Sequence, residues 1–262
     1  RDSLAEIMGL SINDIRIMPS AVGGGFGSKL DLSFQPYIAL AAWKLNKPAY
    51  ISYSRKESMQ STTKRHPSEI ELEIGCSEDG MITAFNFEGT FNTGAYASWG
   101  PTVANRVPVH ASGPYFIENY CAKSYAVHTN TPSSGAFRGF GVPQSAIAQE
   151  TAFDLLADKV GIDRLDFRIK NALQNGLPTA TGQVFEKGVG IKECLEALKP
   201  HWERANKEAR AFNEKANGSG IRKGVGLGSC WYGCGNTSLP NPSTIRFGIK
   251  VDGTIVLHQG AM

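Results

Sequence analysis

Two glycine–aromatic stretches and one isolated arginine carry the side chains and backbone that could do chemistry. The first stretch, Val22-Gly23-Gly24-Gly25-Phe26-Gly27-Ser28-Lys29, sets four glycines in five positions around a phenylalanine, with a lysine close behind. Backbone without Cβ atoms lets a bulky group come close and lets N–H groups face an anion. The run matches neither G-x-G-x-x-G with a ribose-binding acid downstream nor G-x-x-x-x-G-K-[ST], because Leu30 follows Lys29. Alone it reads equally as a cofactor loop or as a tight packing turn. The second stretch, Ser133-Ser134-Gly135-Ala136-Phe137-Arg138-Gly139-Phe140-Gly141-Val142-Pro143-Gln144, again flanks aromatics with glycines and adds an arginine. The isolated residue is Arg106, set among Val103, Ala104, Val107 and Pro108. Such company leaves two readings open, a surface guanidinium on a buried stem or a charge held for a partner.

The elements that position these residues are legible from periodicity. A short helix at 2–8 and a turn capped by Ser11 precede an apolar segment at 15–17, read as a strand. After the first loop, Pro36 opens a helix with Ile38, Ala41, Ala42 and Leu45 on its apolar face, ended by Asn46-Lys47-Pro48. Residues 49–53 read as a strand, and 54–67 as a basic, solvated loop. Ile70, Leu72 and Ile74 alternate with Glu69, Glu71 and Glu73, a strand with one wet face. The Asp79-Gly80 turn leads it into an antiparallel partner at 82–91. Residues 92–119 are rich in glycine and proline yet keep aromatics, a loop folded over a surface or pocket. A strand at 120–128 leads into the second glycine–aromatic loop. The helix after that loop has a stripe of Ala148, Ala152, Leu155, Leu156 and Val160, with Glu150 and Asp154 facing away. Asp163 caps another helix, residues 191–215 form a charged one, and strands at 245–249 and 254–257 flank Asp252-Gly253. Asn217-Gly218-Ser219-Gly220 divides a first part, 1–217, from the start of a second, truncated one, 218–262.

Composition narrows the function classes. The chain has 262 residues, 41% hydrophobic and 19% charged, enough for one large domain or two small ones. A net charge of +3, with no basic run interleaved with aromatics, argues against nucleic acid. No apolar run is long enough to span a bilayer. Five cysteines scattered singly, apart from Cys230 and Cys234, fit buried free thiols in a reducing cytoplasm better than a disulfide scaffold or a metal site.

Together the motifs are far more specific than either loop alone. Gly23-Gly24-Gly25-Phe26-Gly27-Ser28-Lys29, Ala136-Phe137-Arg138-Gly139-Phe140-Gly141-Val142-Pro143-Gln144, and Arg168-Ile169-Lys170-Asn171 followed by Thr181-Gly182-Gln183 resemble, in order and spacing, the molybdopterin-binding part of the xanthine dehydrogenase/aldehyde oxidase family. The resemblance covers essentially the whole chain. It implies an α+β fold of mixed sheets packed with helices, incomplete here, whose loops wrap a molybdopterin carrying molybdenum, in plain or dinucleotide form. Gly25, Phe26, Gly27 and Arg138 match cofactor-side positions, and Leu30, Arg106 and Phe140 match substrate-side positions. Purine-oxidising relatives carry a glutamate where this chain has Leu30, which points from purines toward a smaller ring, a carboxylated N-heterocycle, or an aldehyde.

The resemblance further implies hydroxylation with water as oxygen donor, and electrons leaving through iron–sulfur clusters and FAD on other domains or subunits. The family's general-base glutamate lies outside this chain, so neither Glu118 nor Glu150 is assigned that role. A metal-approaching glutamine is expected before Arg1, and pterin-gripping loops beyond Met262. An excised domain and a naturally split subunit both fit these gaps, and either way the isolated chain is expected to be inactive. The alternative is a non-catalytic structural or assembly module that keeps the fold.

Overall fold

The computed structural model describes residues 1–216, 218, 220–233 and 242–258. Its centre is a three-stranded mixed sheet in the order β1 (Ser68–Cys76), β2 (Ile82–Gly94), β3 (Asn119–His128). β1 and β2 form the expected antiparallel hairpin, with Glu71 opposite Glu88 and Leu72 opposite Phe87. β3 runs parallel to β2, so the connection between them crosses one face of the sheet. That connection contains helix α4 (Gly100–His110).

Side-chain alternation divides the sheet. Phe85, Phe87 and Phe91 of β2 are buried on one face, where they meet Val107 of α4 and Phe153 of helix α5 (Val142–Val160). Glu69, Glu71 and Glu73 remain exposed on β1, as expected of its wet face. Helix α6 (Arg164–Asn171) closes the same core through Phe167, and Asp163 caps it by accepting from the Leu165 and Asp166 N–H groups. Asn171 then ties α6 to the hairpin. Its Oδ1 accepts from Ile82 N–H at 2.8 Å and its amide donates to the Gly80 carbonyl at 2.8 Å.

The first fifty residues pack more loosely. Helices α1 (Asp2–Met8) and α2 (Gln35–Leu45) form as expected, and Ser11 accepts from Asn13 N–H in the turn Ile12–Asp14. Two expected strands do not form. Residues 15–17 and 49–53 are extended but unpaired, and α2 buries none of its residues. A strand needs a partner for its main chain, and these segments find none among the described residues.

Two expected loops contain helices. The basic stretch holds α3 (Arg55–Ser61), set by a capping box in which Ser54 and Glu57 satisfy each other's backbone N–H. The glycine- and proline-rich stretch holds α4, where Pro101 occupies a first-turn position that needs no N–H.

The stripe expected on α5 is met in part: Ala148 and Leu156 pack against the core, but the buried face is rotated from it. Leu155 is exposed, whereas Gln144, Gln149 and Phe153 are buried. Glu150 and Asp154 point inward, to the fully buried Arg168 of α6 at 2.7 and 2.8 Å, and the Tyr115 hydroxyl donates to Glu150 at 3.0 Å. The amphipathic reading put charges outward by default, but Arg168 on the facing helix gave these two a buried partner.

Helix α7 (Ile191–Lys215) buries Leu195 and leaves Leu198 largely exposed. Strands β4 (Arg246–Ile249) and β5 (Ile255–His258) pair as an antiparallel hairpin. The cysteines differ from expectation. Cys121, Cys194 and Cys230 are free but exposed, Cys76 is half-buried, and Cys234 lies outside the described residues. Among the described residues no helix is long and apolar enough to cross a membrane.

Candidate functional site

The two glycine–aromatic loops meet. Gly27 has φ +86°, and a Cβ added there would stand 3.0 Å from both the Ala136 carbonyl carbon and the Phe137 nitrogen. Only glycine combines that backbone angle with that approach. Lys29 closes the first loop from below, donating to the Val22 and Gly24 carbonyls at 2.6 and 2.7 Å. Its charge is therefore committed to its own loop.

The second loop is held by Arg65, from the basic stretch expected to be solvated. Its guanidinium donates to the Arg138 carbonyl at 2.6 Å and to Gln144 Oε1 at 3.3 Å, and stacks 4.7 Å from the Phe137 ring. Gly141, at φ +101°, brings the loop's end against α4, where an added Cβ would meet the Val103 carbonyl at 2.9 Å.

Phe26, Gly27, Phe137, Arg138, Gly139, Phe140 and Tyr232 line one pocket of about 300 Å³. The Arg138 guanidinium lies 5.2 Å from the Phe26 ring centre. Phe26 and Phe140 both adopt left-handed backbone, at φ 50° and 46°. A bulky side chain is disfavoured in that region, and such strain gathers at functional sites.

Arg106 lies behind the pocket wall, buried on α4. Its guanidinium carbon is 4.5 Å from the Tyr232 ring centre and 6.0 Å from that of Phe140, and Nη2 donates to the Gly233 carbonyl at 3.4 Å. Phe140 also meets Trp99, ring centres 6.3 Å apart. Of the residues expected at the site, Phe26, Gly27, Arg138 and Phe140 share one pocket, and Arg106 touches it through Phe140. Gly25 adjoins it in the first loop. Leu30 is exposed and outside the lining set.

Tyr232 was missed, because it lies far along the chain from either loop and its own string drew notice only for its cysteines. Its nearest signal was the unusual Cys230-Trp231-Tyr232-Gly233 string. His110 holds this string. Gly233 N–H donates to His110 Nε2 at 3.1 Å, the Trp231 indole donates to the His110 carbonyl at 3.3 Å, and the Tyr232 ring stacks on the imidazole at 5.3 Å.

The donors around the pocket are a guanidinium and loop backbone, with aromatic faces beside them. Among the described residues no three His, Cys, Asp or Glu side chains come together as a metal-ligand set. The surroundings therefore suit an anionic, flat-ringed group that brings its own metal ligands, which is the chemistry of a molybdopterin.

Comparison with known proteins agrees. The family model of the molybdopterin cofactor-binding domain matches residues 1–172. The chain is 44% identical over 196 residues to the nicotinate dehydrogenase large molybdopterin subunit of Eubacterium barkeri, covering 75% of this chain and 46% of that one. It is 33% identical over 252 residues to a putative xanthine dehydrogenase molybdenum-binding subunit of Escherichia coli, covering 94% and 33%. The aldehyde oxidoreductase structure from Desulfovibrio gigas superposes with a TM-score of 0.74 at 29% identity, over 90% of this chain and 25% of that one. The chain thus spans less than half the length of these relatives. It belongs to the xanthine dehydrogenase/aldehyde oxidase family of molybdenum-dependent oxidoreductases, as part of the molybdopterin-binding region.

Proposed function

We propose that this chain forms the metal-proximal wall of a molybdenum hydroxylase that oxidises an aromatic N-heterocycle or an aldehyde, with water as oxygen donor. The convergence of Phe26, Gly27, Arg138 and Phe140 on one pocket, with Arg106 against its rim, carries this reading. When bound, the molybdenum cofactor supplies the two-electron oxidation, and the electrons pass to iron–sulfur and flavin groups on partner domains or subunits.

Gly25, Phe26 and Gly27 would present loop backbone to the cofactor, and Arg138 would balance its negative charge. Such donors act at no reorganisation cost because Lys29 and Arg65 already fix their loops. Phe140 would give a flat ring an apolar face. Arg106 would attract an anionic ring substituent. A carboxylated N-heterocycle fits best, in line with the name of the nicotinate dehydrogenase relative. The general base and the remaining cofactor-gripping loops would come from outside this chain, which alone would be inactive. The second part would begin near residue 218.

The test is Arg106→Leu in the assembled full-length enzyme. Loss of a charge-assisted contact, about 1.5–3 kcal/mol, is expected to lower kcat/KM for nicotinate roughly tenfold to hundredfold and to spare benzaldehyde. Equal losses on both substrates would contradict the assignment of Arg106.

A further inference from the structure

The loop glycines and arginines account for one side of the pocket, but Tyr232 enters from a segment with no regular secondary structure. Such a segment needs an anchor, and its contacts lead to one side chain. His110 is buried in the last turn of α4, one turn after Arg106. Its Nδ1 faces the Arg106 carbonyl at 3.0 Å and its Nε2 receives the Gly233 N–H at 3.1 Å. A carbonyl only accepts, so Nδ1 carries the proton, and an N–H only donates, so Nε2 carries none. One neutral tautomer satisfies both contacts. Burial lowers the His110 pKa, outweighing the Arg106 carbonyl contact, and the Arg106 charge lowers it further; both keep the imidazole neutral.

The two contacts join the parts of the specificity wall. Through Nδ1 the imidazole grips the turn of α4 that carries Arg106, and through Nε2 and its ring face it grips Gly233 and Tyr232. The Gly233 carbonyl accepts from Arg106 Nη2, which closes a ring of contacts running Arg106, His110, Gly233 and back.

We propose that His110 is a positioning residue that locks Tyr232 and Gly233 onto the Arg106 guanidinium, and so sets the affinity for substrates with an anionic ring substituent. This rests on the substrate reading above. His110 is not among the residues lining the pocket; it acts through Tyr232 and Arg106.

Two amide substitutions separate positioning from bulk packing. His110→Gln can place an acceptor near the Nε2 position, whereas His110→Asn reaches only as far as Nδ1. In the assembled full-length enzyme, hydrogen–deuterium exchange of the peptide spanning 230–233 is expected to quicken at least about tenfold in His110→Asn and to stay near wild type in His110→Gln. KM for nicotinate should rise about tenfold in His110→Asn with kcat within about twofold, KM for benzaldehyde should hold, and His110→Gln should restore most of the loss. Tyr232→Leu leaves His110 intact and should reproduce the nicotinate KM rise, which keeps the idea testable if His110→Asn does not fold. Unchanged exchange in His110→Asn, equal damage by both amides, or an unaltered nicotinate KM in Tyr232→Leu would overturn the proposal. An enzyme that turns over no carboxylated heterocycle would overturn the substrate reading instead, and the exchange measurement would still decide the lock.

Discussion

At residue scale, the candidate site was legible where glycine and aromatic residues occur together, because few other tasks demand Phe26 and Phe140 inside such permissive backbone. Arg106 was ambiguous in sequence, since an arginine in apolar company fits either a snorkelling stem or a held charge. Its burial, with the guanidinium against Phe140 and Tyr232, removes the first. His66 gave no signal, being one of several polar residues in a basic stretch. It is buried, with neither ring nitrogen hydrogen-bonded among the described residues, and burial followed by the neighbouring Arg65 charge pushes its pKa down to about 4. The unfolded chain takes up that proton near pH 6.5, so the neutral imidazole contributes its full stability above that pH and loses it as pH falls toward 4. The expected slope is about 1.4 kcal/mol per pH unit across that window. Urea unfolding of the full-length protein at pH 7 and pH 5 checks it. His66→Leu should lose less stability on acidification than wild type, and identical losses would contradict the assignment.

At the scale of elements, strands were legible wherever two could pair within the chain. The β1–β2 and β4–β5 hairpins follow from alternation and an Asp-Gly turn. Residues 15–17 and 49–53 have the same local pattern but lack neighbours among the described residues, and pattern alone does not supply a partner. Helix α4 was hidden by Gly100, Pro101 and Pro108, residues that read as breakers although a first-turn proline favours a helix start. The orientation of α5 was hidden for a different reason, that the buried charge of Arg168 sits on another helix. Glu150→Ala leaves the buried Arg168 with Asp154 alone and the Tyr115 hydroxyl without its acceptor, so it is expected to destabilise by about 3 kcal/mol. Removing all three charges in Glu150→Leu/Asp154→Leu/Arg168→Met should lose much less. Chemical denaturation of both variants distinguishes this from a surface pair, for which each change would lie within about 1 kcal/mol.

At the scale of the whole molecule, the family could be recognised because two glycine–aromatic loops stand in one chain in a particular order and spacing. The assembly could not be read in the same way. The chain covers only 46%, 33% and 25% of three relatives, and its own pattern describes nothing of the remainder of theirs. Exposed Leu40, Trp43, Phe247 and Leu257 remain on α2 and the β4–β5 hairpin. The most direct measurement is native mass spectrometry with molybdenum and pterin analysis of the full-length protein from its own host, beside its Gly27→Val variant. Wild type is expected to carry molybdenum and pterin. Gly27→Val should stay folded but lose both, because its side chain would displace the Ala136–Phe137 backbone that meets the first loop. A folded wild-type protein without either, or a Gly27→Val protein that keeps both, would contradict a cofactor seat between these loops.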